Sequence, residues 1–299
     1  MSRRGVVVPT GAIPGALAWA LVRIDLHTHS TASDGTDPPA EVMRRAAEAG
    51  LDVVALTDHD TLAGHGEARA VLPRGLVLLP GMELSCRLDT RSVHMLAYAV
   101  DPGNAELAAE LAAIVEARIG RARRMVEQLR ALGVDVTWPQ VEALAGGGVV
   151  GRPHIARAMV AAGAIASPDQ AFTPDWIGAG GRAYVSRYAL EPVAAIRLVR
   201  AAGGAAVLAH PGAVSRGEKL SDQAIARLAA AGMAGLEVAH PNHDQAERHR
   251  LAALAASLDL VPTGGSDDHG SLTGYRIGCE TTSPEAYERL LSRMPGGRG

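Results

Sequence analysis

The strongest constraint on this chain is a repetition. Ile24-Asp25-Leu26-His27-Thr28-His29-Ser30 closes an apolar run, Leu21 to Leu26, with two histidines one residue apart. Ser33-Asp34-Gly35 then returns a carboxylate beside a glycine. Five further apolar runs end in His, Asp or Glu. In a strand His27 and His29 point to the same side, because alternate residues share a face. Paired imidazoles are the commonest neutral ligands of a divalent metal. One His-x-His says little on its own; a chain that repeats the pattern needs a fold that gathers its strand ends.

Helical segments separate the runs. Residues 38–50, PPAEVMRRAAEAG, begin with Pro, carry apolar residues at helical spacing and stop at Gly. Strands are predicted over 51–57, 76–80, 93–100, 205–209, 235–238 and 260–263, with helices over 64–72, 192–202, 221–231 and 244–258. With the first run these make seven β units, the signature of a parallel sheet covered by helices. Only closure into a (β/α) barrel brings all the strand ends to one mouth. The rhythm changes at Asp101-Pro102-Gly103. One long Ala- and Arg-rich helix is predicted over 104–132 and a shorter one over 138–145. Gly146-Gly147-Gly148 then breaks the chain, Arg152-Pro153-His154 opens another helix, and 167–181 reads as loop. The expected organisation is an α/β barrel from 22–100 and 190–292, with a mainly helical insertion at 101–189.

Residues 1–21 need their own reading. Met1 to Arg4 is basic and Ala18-Trp19-Ala20 resembles a signal-peptidase site, but Pro9, Gly11, Pro14 and Gly15 interrupt the uncharged run. The run is short for a membrane span, so a disordered leader and a cytoplasmic protein with no membrane partner are expected. The formal charge of −3 argues against a globally electropositive binder of duplex DNA. Cys86 and Cys279 are too few for a disulfide scaffold or a Cys-rich zinc site, and buried thiols are expected. Nothing in the sequence points to a protein partner.

The candidate metal ligands are His27, His29, Asp34, His59, Glu83, His94, His210, Asp267 and His269, most of them just past a predicted strand. A mixed His and carboxylate set without thiolate suits Mn²⁺, Fe²⁺ or Zn²⁺. Nine ligands are too many for one such ion. Two or three divalent ions sharing a bridging carboxylate would use them.

The motifs His27-x-His29, Ser33-Asp34-Gly35, Thr57-Asp58-His59-Asp60, Gly81-Met82-Glu83, Ala209-His210-Pro211 and Gly265-Ser266-Asp267-x-His269 together resemble the polymerase and histidinol phosphatase (PHP) family. The resemblance covers about 22–100 and 190–270. It implies a distorted seven-stranded (β/α) barrel with a trinuclear metal centre. One ion would take His27, His29, Glu83 and Asp267; a second would share Glu83 and add His94 and His210; a third would take Asp34, His59 and His269. Hydrolysis of a phosphoester by a metal-bridging hydroxide is the reaction such a cluster suits.

The insertion resembles that of a subgroup acting on nucleoside 3′,5′-bisphosphates, AMP and short 5′-phosphorylated RNA. That likeness rests on Gly151-Arg152-Pro153-His154 and Gly181-Arg182-Ala183-Tyr184-Val185. Arg152 and His154 stand at a predicted helix N-terminus, where free N–H groups and the dipole favour an anion. An Arg there can grip a second phosphate. Arg152, His154, Arg182, His240 and Asn242 are therefore the candidate substrate-binding residues. His240 and His243 read equally well as solvated loop histidines, and Asp60 and His243 are the candidates for general acid. The alternatives are a histidinol-phosphate phosphatase and a non-catalytic PHP binding module. His65 and His249 are expected at the surface, Cys86 in packing, and the arginines of 118–130 on a solvated face or an RNA track. Glu237 reads as a partner for a ligand histidine or as a backbone-bonded carboxylate.

Overall fold

The computed structural model describes residues 22–89, 91–146, 150–186, 188–213 and 219–294. The leader expected over 1–21 and the Gly147-Gly148 break lie outside the described residues. The chain divides into two compact units, Met1–Ala108 with Leu190–Gly299, and Ala109–Ala189.

In the first unit seven strands follow one another in sequence order: β1 (Ile24–Thr28), β2 (Val53–Leu56), β3 (Val77–Leu88), β4 (Arg91–Tyr98), β5 (Ala205–Leu208), β6 (Gly235–Ala239) and β7 (Val261–Gly264). The sheet nearly closes into a barrel. Residues after β7 bridge back to β1, with Asp267 N donating to His27 O at 2.8 Å and His29 N to Asp268 O at 2.9 Å.

Two expectations about the strands are corrected. β3 does not stop at Pro80 but continues to Leu88, so Glu83 lies within it rather than past its end. β4 runs antiparallel to both β3 and β5, while the other neighbours are parallel. The cause is length. Only residues 89 and 90 separate Leu88 from Arg91, whereas a parallel return needs a crossover of about a dozen residues or more.

Helices cover the barrel. α1 (Pro39–Glu48) and α2 (His65–Ala70) follow β1 and β2 in turn, α6 (Pro192–Ala201) precedes β5, and α7 (Asp222–Ala230), α8 (Gln245–Ser257) and α9 (Pro284–Ser292) follow β5, β6 and β7. Val42, Met43 and Ala46 of α1 pack with Val54, Leu56 and Leu78. The alternate residues Val53 and Ala55 join Ile24, Leu26, Leu79, Leu96, Val207 and Val261 in a separate cluster. Burial on both faces is why these strands read as unbroken apolar runs. Ser221, Asp244 and Ser283 begin α7, α8 and α9 by accepting a hydrogen bond from the backbone N–H three residues on. α9 was not anticipated; it adds Tyr287 and Leu290 to the barrel cluster. His65 is buried rather than at the surface, its Nε2 3.0 Å from Leu56 O. Cys86 is buried as expected, but Cys279 is exposed.

The second unit is mainly helical. α3 (Ala105–Ala131) enters it and α4 (Trp138–Ala145), α5 (Arg152–Ala161) and a 3-10 turn (Pro168–Phe172) complete it. Met125, Leu129, Val136, Val141, Ile155 and Met159 form its core. Gln140 accepts from Thr137 N at 2.8 Å to start α4, and Gly146 ends it in the left-handed conformation. Of the arginine run, Arg121 lies over Tyr184 and Arg123 over Trp138, so these two pack on rings of their own unit.

Candidate metal centre

The local fold gathers the nine singled-out side chains of the first unit. His27 is on β1 and His29 just past it; Asp34 follows in the turn; His59 comes after β2 and bridges to Glu83 on β3. Because β4 runs the other way, its first half lies where the parallel strands end, and His94 pairs with Ser85 two residues beyond Glu83. His210 follows β5, and Asp267 and His269 follow β7. His210 and Asp267 adopt left-handed backbone conformations, φ 28° and 50°, as does Asp60 at 56°. Such strain in non-glycine residues persists where the surroundings hold it, commonly at functional sites.

Glu83 is the hub. Its Oε1 contacts His94 Nδ1 and lies 2.9 Å from His210 Nε2. Its Oε2 lies 3.3 Å from His27 Nε2, 3.2 Å from His29 Nε2 and 3.2 Å from His59 Nδ1. Asp267 Oδ1 is 3.4 Å from His27 Nε2 and 3.3 Å from His29 Nε2. Asp34 reaches His269 Nε2 at 3.3 Å and His59 Nε2 at 3.8 Å. Among the described residues, three sets have ligand atoms mutually within 4.8 Å: His29, Asp34, His59 and His269; His27, His29, Glu83 and Asp267; and His59, Glu83 and His94. The second is the set expected for one ion. The others differ in sharing His29 and His59 between neighbouring positions, while His210 meets Glu83 from the His94 side.

The donor set fits divalent cations. His27 Nε2, both ring nitrogens of His29, His59 Nδ1, Glu83 Oε2 and Asp267 Oδ1 are buried without a hydrogen-bond partner. Leaving such atoms unmatched is costly, and each faces another side chain of the cluster. Nitrogen and carboxylate oxygen without thiolate suit Mn²⁺, Fe²⁺ or Zn²⁺. The carboxylates draw positive charge to the site. Burial opposes charge on every group here, yet His59 and His94 hold Glu83, His27 holds Asp267, and His59 and His269 hold Asp34, all well below the usual carboxylate range. Against the same burial, the adjacent Asp267 and Glu83 carboxylates push His29 up to about 10. His59 goes down, because burial outweighs its carboxylate neighbours.

Behind these side chains stands a ring of carboxylates. Glu237 Oε1 accepts from His27 Nδ1 at 3.0 Å and Oε2 from His210 N at 2.7 Å. The first bond leaves the His27 Nε2 lone pair for the cluster, the arrangement typical of metal-bound histidine. Burial would raise Glu237, but His27 and His240 bring it down to about 2. Asp58 accepts from Ser30 N at 2.8 Å and from the Ser33 hydroxyl at 2.6 Å, fixing the turn that carries Asp34. Asp25 accepts from Ser266 N at 3.0 Å and Gly278 N at 2.8 Å, tying β1 to the segment of Asp267. Asp268 receives Arg276 N at 2.7 Å and pairs with Arg45 at 3.3 Å. The roles of Asp25, Asp58 and Asp268 were not read from the sequence; their only signal is an acidic residue flanking a ligand motif.

Of the other candidates, His240 lies against the cluster, its Nε2 3.3 Å from Asp267 Oδ2. Asp60 accepts from Ser85 N at 2.7 Å. His243 Nε2 accepts from Gly212 N at 3.1 Å and its Nδ1 faces Val238 O at 3.0 Å, so the ring is bonded to backbone rather than presenting a proton to a leaving group. Neither His240 nor His243 is a solvated loop residue; both are buried. Asn242 is exposed. Arg152, His154 and Arg182 belong to the second unit. Arg152 lies over the Phe172 ring at 5.4 Å, and His154 Nδ1 turns back to accept from Gly151 N at 2.9 Å. Arg182 is exposed.

Comparison with known proteins gives a consistent picture. A family model described as PHP domain matches residues 25–128. A 3′,5′-nucleoside bisphosphate phosphatase of Chromobacterium violaceum is 36% identical over 263 residues, covering 86% of this chain and 90% of that protein. A 5′-3′ exoribonuclease of Haemophilus influenzae is 35% identical over 248 residues, covering 83% and 90%. A metal-dependent phosphoesterase structure from Bifidobacterium adolescentis superposes with a TM-score of 0.84 at 37% identity, over 91% of this chain and 96% of that one.

Proposed function

The chain belongs to the PHP domain family, and from that premise we propose a metal-dependent phosphoesterase that acts on nucleotides. Its substrates are nucleoside 3′,5′-bisphosphates, AMP-like nucleotides or short 5′-phosphorylated RNA. One observation carries the reading: five histidines, His27, His29, His59, His94 and His210, converge on the two oxygens of Glu83. The relatives' names supply the substrate class, a phosphatase of a nucleotide with two phosphates and a nuclease of RNA.

His27, His29, Asp34, His59, Glu83, His94, His210, Asp267 and His269 would hold two or three divalent ions, manganese first among them. Bound there, such ions supply Lewis acidity toward phosphate oxygens and an acidified water as nucleophile. The chain's own residues do the positioning. Glu237 fixes the His27 tautomer and the His210 backbone, and Asp58 sets the turn carrying Asp34. Arg152, with His154 and Arg182, is proposed to bind a second phosphate of the substrate. Arg152 stands in the first turn of α5, where helix polarity favours an anion. Asn242, exposed at its loop, is proposed to bind substrate and Asp60 to act as general acid, with the cytoplasm as the setting that suits nucleotide and short-RNA substrates.

The test is a substrate panel with and without chelator. Hydrolysis of nucleoside 3′,5′-bisphosphate is expected to vanish with chelation and return with Mn²⁺. Arg152→Ala is expected to slow the bisphosphate far more than an aryl phosphate; equal losses on both would remove the second-phosphate subsite. Histidinol phosphate, with one phosphate, is expected to be a poor substrate insensitive to Arg152→Ala.

A further inference from the structure

Asp267 offers its two oxygens to different partners. Oδ1 faces the ring nitrogens of His27 and His29 and has no hydrogen-bond partner. Oδ2 lies 3.3 Å from His240 Nε2 and 3.7 Å from an Arg276 guanidinium nitrogen. That same Arg276 nitrogen donates to the Asp267 carbonyl at 2.8 Å.

The His240 proton can be located. Asn242 N donates to His240 Nδ1 at 3.1 Å. A ring nitrogen that accepts presents its lone pair, so the neutral ring carries its hydrogen on Nε2. Nε2 is the atom aimed at Asp267. A protonated nitrogen cannot ligate a cation, but it can donate to a carboxylate. The ring is fully buried, and its loop is pinned from α8, where Arg248 donates to His240 O at 2.9 Å and to His243 O at 2.9 Å while pairing with Glu280.

We propose that His240 is a positioning residue for Asp267: it donates from Nε2 to Oδ2, assisted by Arg276, so that Oδ1 alone is presented to a cation. This differs from the substrate-rim role expected from the sequence, and it rests on the reading of the cluster as a metal centre. A donor behind a ligating carboxylate fixes its orientation, and removing such a partner typically weakens metal binding by about 10- to 100-fold.

The experiment is Mn²⁺ titration of chelated, full-length protein, reading affinity and the number of ions bound at saturation. His240→Ala is expected to weaken affinity within that range while leaving the saturating number unchanged. His240→Gln, whose amide nitrogen can donate from a similar place, is expected to recover most of the loss. Arg276→Met, a milder lesion, is expected to weaken affinity by less and keeps the comparison available if His240→Ala does not fold. In the metal-free protein, ¹⁵N-histidine spectra are expected to show a locked Nε2–H tautomer whose signals disappear in His240→Gln. Wild-type affinity in His240→Ala and Arg276→Met overturns the proposal. So does loss of an ion at saturation in both His240 variants, which would make His240 a ligand. His27→Ala separates the two readings: if it too binds the full number of ions at full affinity, the metal centre itself is the error.

Discussion

At the scale of single residues, this protein turns on how a few carboxylates divide their oxygens. Glu83 gives one oxygen to His94 and His210 and the other to His27, His29 and His59. Such sharing has a testable consequence. His27→Ala removes a nitrogen that meets both Glu83 and Asp267, and Asp267→Asn removes a charge from the same place. Both are expected to abolish turnover and lower bound metal, measured by elemental analysis of the purified variants; unchanged metal content contradicts the ligand assignment. The histidines and carboxylates that the sequence singled out were legible because most are ligand types placed just past an apolar run. The braces behind them were not. Asp58 stands next to His59 and Asp268 next to Asp267, and no local pattern tells a carboxylate that faces the cluster from one that binds backbone N–H groups. His240 shows the opposite failure: it looks like a loop histidine because the side chains set against its ring, His27, His210 and Asp267, lie far along the chain.

At the scale of elements, direction and closure decide where those side chains arrive. The run 93–100 reads as a strand, but an apolar run has no arrow; the two-residue interval after Leu88 carries that information, and the Pro80-Gly81 pair hides it by suggesting that β3 has ended. Reversal of β4 is what lets a residue in its first half, His94, join ligands from the far ends of other strands. α9 was missed although Ser283-Pro284-Glu285 is a helix start, because its apolar residues are few and fill the barrel cluster from outside the motif-bearing region. Closure between β7 and β1 rests on a close approach. A Cβ on Gly265 would lie 2.4 Å from His27 Cβ and 2.7 Å from His27 N. Gly265→Ala therefore forces the segment of Asp267 away from β1. Overpacking of this kind costs about 1–3 kcal/mol, and metal affinity is expected to fall with it, as denaturant unfolding and Mn²⁺ titration can check. On α8, Arg250 and then Lys219 hold the Glu247 carboxyl down to about 2 from an ordinary 4.5. A folded value below the unfolded one means that the stabilisation is complete above about pH 4.5 and is lost as pH falls toward 2. Glu247→Gln is expected to flatten the decline of stability across that window; an unchanged acid limb would show that the pair contributes nothing.

At the scale of the whole molecule, two units with separate cores face different demands. The cluster in the first unit brings the carboxylates of Asp34, Glu83 and Asp267 together among buried rings, an arrangement that stabilises the fold only when positive charge is supplied to it. The second unit is held by Met125, Leu129, Val141, Ile155 and Met159, and none of the candidate ligands belongs to it. Binding to the native state adds RT ln(1 + [L]/Kd), about 2.7 kcal/mol at a hundredfold excess over Kd. The folded barrel assembles ligands from β1, β3, β4 and the segments after β2, β5 and β7, which an unfolded chain holds far apart, so nearly all of the affinity belongs to the native state. Chelation is therefore expected to lower the unfolding temperature, and Mn²⁺ to raise it progressively with concentration. Since ligating histidines must be neutral, the gain should shrink as pH falls and protons compete for the rings. Hydrogen exchange gives the spatial test: Mn²⁺ should slow exchange around Ile24–Thr28, Gly81–Met95 and Gly265–His269 while leaving Trp138–Ala161 at its chelated rate. Equal protection of both regions would mean that the cation acts on the molecule by some route other than this cluster.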